Sequence, residues 1–262
     1  MKRALLLSLI AGMPGAASAA AWTQEEGEAV VILQIAGALA EARFNAFGTR
    51  TESDRFESVE GRVYAEYGLF DAYTLVASGG FKQFTAEPNP AVQGADPFEL
   101  ALRVRLFTWE NNVVSVQPGV RIPGSFSGGG GDVPFGSEDF DVEGRALFGS
   151  KGEIFGITYF TNTEAAYRHR MGPEPDELIS DITIGVDVFS DVQILIQGFS
   201  TYAIGEAEPP YQFFQQHKAQ VSAIYRVYDG IAIQAGGYMT LYGQNVIDEQ
   251  GVFVAVWVPF AL

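Results

Sequence analysis

The chain has 262 residues, no cysteine, and 16 Lys+Arg against 32 Asp+Glu, for a formal net charge of −16. Without cysteine there is no disulfide scaffold, no thiolate zinc site and no lipid anchor on a cysteine. The acid excess disfavours nucleic acid and leaves no polybasic patch for anionic lipid.

The first residues, "MKRALLLSLIAGMPGAASA", carry Lys2 and Arg3, an apolar run from Ala4 to Met13 and the small-residue exit Ala17-Ser18-Ala19. This predicts a secretory signal peptide over residues 1–19, cut before Ala20. The run is too short to span a bilayer, and Pro14-Gly15 breaks it. No later run of about 18 apolar residues follows. Hydrophobic residues nevertheless make up 47% of the chain and Gly occupies 30 positions, a composition that suggests antiparallel β-structure.

From Ala20 onward, alternating runs predict twelve strands: Glu28–Ala40, Glu57–Gly68, Tyr73–Phe84, Phe98–Trp109, Val113–Ile122, Phe140–Phe148, Glu153–Tyr167, Ile179–Phe189, Val192–Tyr202, Gln216–Arg226, Ile231–Tyr242 and Val252–Phe260. Pro118 makes the fifth the least regular. The even-numbered strands leave through short turns, "LFDA", "ENN", "GSKG", "SD" and "VYDG"; the other connections are long. Short turns on one side and long loops on the other are the pattern of outer-membrane barrels, with both chain ends on the periplasmic side. No linker divides residues 20–262, which predicts a single domain.

Each strand segregates charge to one face. Glu60, Arg62 and Glu66 oppose Val59, Val63 and Tyr67; Glu99, Arg103 and Arg105 oppose Leu100, Leu102 and Val104; Asp141, Glu143 and Arg145 oppose Val142, Ala146 and Phe148. Alternation alone does not say which face is inward. The leader, the alternating loop lengths, strands of about 10 residues and aromatic residues near the short turns favour an inside-out assembly. These aromatics are Tyr67, Phe70, Tyr73, Phe107, Trp109, Phe148, Phe189, Tyr225, Tyr228 and Trp257, and such rings form girdles at membrane interfaces. The expected fold is therefore all-β: a transmembrane, antiparallel, up-and-down barrel of about 12 strands in the bacterial outer membrane.

The segments "AWTQEEGEAV" and "EYGLFDAYTL", with the echoes "VDVFSDVQILI" and "YRVYDGIAIQ", resemble proteobacterial outer-membrane barrels of the phenol-degradation meta-pathway, or MetA-like, transporter group. The resemblance spans the chain after the leader and implies passage of small, often aromatic, solutes, without catalytic residues. Many such barrels end in a Phe that the barrel-assembly machinery reads; this chain ends "VPFAL", with Phe260 two residues short of the end.

The inward charges are the candidate solute path: Glu60, Arg62, Glu99, Arg103, Arg105, Arg121, Glu143 and Arg145. They attract anionic or polar solutes or, alternatively, pair with one another to brace the wall. Arg62, Arg103, Arg105 and Arg121 are the strongest choices, because Arg103 and Arg105 share a strand and Arg121 lies on its hairpin partner. No catalytic, metal or cofactor motif stands out. "SFSGGGGDVPFGSED" lacks the ending of a phosphate loop and predicts a flexible third outer loop; the acidic outer loops show no EF-hand spacing. The partners expected are outer-membrane lipid, lipopolysaccharide, the assembly machinery and a small solute. Two other readings stay open: a rim-sited lipid hydrolase using His169 or His217, which needs a Ser on the same face, and a plugged structural or adhesion barrel.

Overall fold

The computed structural model describes residues 21–88, 90–128, 139–205, 211–228 and 230–261. The leader and most of the Gly-rich loop lie outside the described residues. Fifteen strands form one antiparallel sheet: β1 Glu28–Phe44, β2 Arg50–Phe70, β3 Tyr73–Ala86, β4 Val92–Ala95, β5 Phe98–Trp109, β6 Asn112–Ile122, β7 Ser125–Gly128, β8 Asp141–Ile154, β9 Ile157–Arg170, β10 Asp176–Asp187, β11 Val192–Ile204, β12 Gln215–Tyr228, β13 Ile231–Gln244, β14 Val246–Ile247 and β15 Gln250–Ala261. Long strands pair with their sequence neighbours, and β15 returns to β1 from Glu28↔Ala261 to Leu39↔Gln250. The result is a closed barrel of twelve strands, in which no sheet edge faces lipid.

The three short strands continue long ones past a break. β4 leads into β5 across Asp96-Pro97, β6 into β7 across Pro123-Gly124, and β14 into β15 across Asp248-Glu249. The prolines supply no N–H to the ladder. At Gly124 a side chain would run into the Ala95 carbonyl. β4 and β7 pair with each other and β4 with Phe81–Phe84 of β3, so the wall persists above the breaks. Pro118 has a related effect: the β5–β6 ladder is interrupted between Ala101↔Gly119 and Val104↔Val116 with the register kept, and the register itself shifts only between Arg105 and Phe107.

Three connections differ from expectation, one of them the β9–β10 loop, which shortens to residues 171–175. The first outer connection is residues 45–49 only, because β1 and β2 run on past a bulge between Ala40 and Ala42. "GSKG" is strand, and the turn falls at Phe155-Gly156, both at positive φ (52° and 78°). Paired positive φ values match the right-handed twist of a two-residue hairpin.

Burial fixes the faces. Ile35, Val59, Ile196, Val221 and Val252 point outward and are exposed, whereas Arg103, Asn162, Glu164, Gln197 and Gln234 point inward and are buried. A soluble barrel has the reverse arrangement. Trp109 and Phe148 stack at 6.1 Å and Phe70 meets Tyr73 edge-on at 6.1 Å on the outer wall near the short turns, as a girdle requires. Trp257 is a correction: it points inward, is buried, and donates from Nε1 to Gln234 Oε1 at 3.1 Å.

Candidate functional site: the lumen and its N-terminal strap

Residues 21–27 precede β1 and turn into the periplasmic half of the barrel. Their backbone has no ladder to join, so its polar groups find partners on the inner wall. Ala21 N donates to Asn162 Oδ1 at 2.9 Å, and Ser115 Oγ donates to Ala21 O at 2.5 Å. Gln24 N donates to Thr74 Oγ1 at 2.8 Å, and Gly27 N to Gly68 O at 2.9 Å. The Trp22 ring meets Phe160 edge-on at 6.2 Å, and Lys151 Nζ lies 4.6 Å from its centroid. Gly149 leaves the space this indole fills.

Arg103 grips the strap. It is fully buried, pairs with Glu66 at 2.8 Å, and donates to Gln117 Oε1 at 3.1 Å, to Tyr64 Oη at 3.2 Å and to Trp22 O at 2.9 Å. Glu66 in turn accepts from Gln24 Nε2 at 2.7 Å and from Tyr64 Oη at 2.5 Å. A guanidinium presents five donors in a fixed fork, which suits it to join strap and wall at once.

Above this hub, one side of the lumen is an interleaved array of charges. Arg145 pairs with Glu143 at 2.9 Å, Glu164 at 2.6 Å and Asp181 at 3.0 Å. Arg168 pairs with Glu143 at 2.8 Å and Glu177 at 2.6 Å, and Arg170 with Asp141 at 2.9 Å and Glu177 at 2.7 Å. Next to this array, across β10 to β13, come amides: Gln220 donates to Gln197 at 2.8 Å, Gln197 to Thr183 at 3.1 Å, and Gln234 to Ser222 at 2.8 Å. These groups are uncharged and satisfied within the wall.

The eight predicted path residues separate into three groups. Glu99, Arg121, Glu143 and Arg145 come together around a cavity of about 90 Å³, with Ser78 and Gln117. Glu60 and Arg62 pair with each other at 2.9 Å and remain partly exposed toward the outer mouth. Arg103 is sealed beneath the strap, and Arg105 sits at the periplasmic rim, donating to Asp71 O at 2.7 Å. Arg121 is the loosest of the array. It lies 3.3 Å from Glu99 and 3.6 Å from Asp141, and its buried Nε has no hydrogen-bond partner.

The sequence reading missed the strap, Tyr64, Gln117 and Asn162, whose partners lie on distant strands. It also missed Ser200, whose Oγ lies 2.9 Å from His217 Nδ1. Among the described residues no group of three His, Asp or Glu is placed to hold a metal ion.

No family model and no curated protein matches the sequence. Solved structures do match. The COG4313 outer membrane channel of Pseudomonas putida F1 superposes with a TM-score of 0.73 at 13% identity, over 95% of this chain and 100% of that one. The translocator domain of autotransporter NalP from Neisseria meningitidis gives 0.55 at 10% identity, over 90% of each chain. The NanC porin gives 0.51 at 9% identity, over 86% of this chain and 98% of that one. At these identities the likeness establishes the fold, and together with the closed wall and the inverted faces it makes this chain a twelve-stranded β-barrel of the outer-membrane type.

Proposed function

We propose that the protein is an outer-membrane channel for small solutes, with a leader removed before Ala20 and with the strap narrowing its periplasmic mouth. The observation that carries this reading is the polar interior. Well-packed apolar side chains fill a narrow barrel at no loss of stability, and replacing buried ion pairs with them is often neutral or stabilising. An interior of Arg–carboxylate pairs, amides and hydroxyls serves a polar passenger instead, by offering hydrogen bonds in place of its water. Around the 90 Å³ cavity two arginines are matched by two glutamates, and Arg121, the most loosely paired, is the guanidinium left to meet an anionic solute; the MetA-like resemblance implies small, often aromatic ones. Two of the matched structures, a channel and a porin, support the same reading.

The test is single-channel conductance of the refolded chain from Ala20 onward in a planar bilayer under a salt gradient. Stepwise conductance is expected, with an anion preference that falls when Arg121→Ala removes the loosest guanidinium. A correctly inserted barrel that stays silent, with and without the strap, would favour the plugged structural reading, for which the dense packing around Arg103 and Glu164 is the supporting observation.

A further inference from the structure

Lipid offers no hydrogen-bond partners, so the outer wall of a barrel is expected to be apolar throughout its buried band. One row departs from this. Register places Ala146, Ala165, Ser180, Ser200 and His217 side by side across β8 to β12. Alternation turns the row outward, since the flanking Glu164, Ile179, Asp181 and Gln197 are buried on the inner face. Ser200 Oγ and His217 Nδ1 are 2.9 Å apart. The imidazole is held between Tyr202, edge-on at 5.1 Å, and Tyr242, stacked at 5.9 Å. The small residues at 146, 165 and 180 floor a groove of about 730 Å³, walled by Tyr167 and Tyr202; the pair lies just beyond its lining, with Ser200 beside Ser180 in register and His217 against Tyr202.

Depth identifies the occupant. Tyr167, Tyr202 and Tyr242 lie toward the long-loop ends, where aromatic rings mark the extracellular interface. Ser200 lies two residues before Tyr202 on β11, back toward the membrane core, about 7 Å along the strand at an ordinary rise. That is where acyl chains join their headgroups through esters. With His217 protonated at Nδ1 and donating to Ser200 Oγ, the serine hydroxyl proton is free for an acceptor such as an ester carbonyl. A Ser–His pair is also the start of a nucleophile–base arrangement. Among the described residues, however, His217 bonds no carboxylate or amide that would orient it. The pair is therefore assigned to recognition.

We propose that this groove seats one ester-linked acyl chain of lipid A in the outer leaflet, with the ester carbonyl on the Ser200 hydroxyl. The site is on the outside of the wall, so it stands or falls separately from the channel reading. The experiment is native mass spectrometry of the refolded protein titrated with hexa-acylated lipid A, and with phosphatidylglycerol in parallel. One tightly held lipid A is expected. Ala165→Phe, which fills the floor, and Ser200→Ala should each weaken it by about tenfold, while single-channel conductance stays unchanged. Heat-modified gel mobility checks that each variant is a folded barrel. Equal retention by wild type and both variants, or equal retention of phosphatidylglycerol, would overturn the proposal, because either result describes an ordinary lipid annulus.

Discussion

Arg103 shows how one side chain takes a role that its place in a charge pattern does not specify. It belongs to the inward face, as alternation predicts, yet its four partners come from β2, β6 and the strap. Removing one member of a buried pair strands the other, at a cost of about 3–5 kcal/mol. Arg103→Ala is thus expected to destabilise the barrel by that amount, measured by denaturant unfolding in micelles, and also to release Trp22. Arg103→Met combined with Glu66→Leu removes both charges and should recover most of the stability, yet it still lacks the donor to Trp22 O. If the double variant stays as unstable as the single one, the strap contacts rather than the charges dominate the hub.

At the scale of elements, most of the wall was legible in the sequence, because a period of two over ten or more residues has few other interpretations. The strands and their charged faces follow from that period, whereas the even count and the inward direction of the charged face needed the alternating loop lengths and the aromatics near the short turns as well. What escaped were features set by tertiary context. β1 and β2 continue past Ala40 through sequence as polar as a loop, since the extended hairpin satisfies its own backbone. Trp257 sits among apolar neighbours in sequence, and only the register places it beside Gln234. The β8–β9 turn was displaced toward "GSKG" because Phe155 is an unusual residue for positive φ, where a Cβ costs roughly 1–2 kcal/mol. Phe155→Asn, a residue that tolerates this conformation, is expected to raise the unfolding free energy by about 1 kcal/mol. An unchanged denaturant midpoint would mean that the exposed Phe155 ring gains as much from its surroundings as the backbone loses.

The candidate site was legible only in part for a reason that belongs to the whole molecule. Strand faces can be read locally, but the lumen is the meeting of faces from strands far apart, and the strap that enters it shows no period of its own. Ala21 reaches Asn162, 141 residues away. Its hold is a set of hydrogen bonds to hydroxyls, amides and carbonyls, each worth about 1 kcal/mol net, with a single ion-paired hub. Such a set can release without unfolding the wall, whose ladders do not pass through residues 21–27. The absence of cysteine makes this directly testable. Gln24 N donates to Thr74 Oγ1 at 2.8 Å, so strap and wall are in direct contact at the pair where a crosslink can be placed. In a Gln24→Cys/Thr74→Cys variant that crosslink is the sole disulfide available. Oxidised protein is expected to show reduced open probability in the bilayer, restored by adding reductant to the periplasmic chamber alone. Conductance indifferent to oxidation, with the crosslink confirmed by mass, would mean that ions pass beside a strap that never moves, and the narrowing would then be a fixed selectivity element.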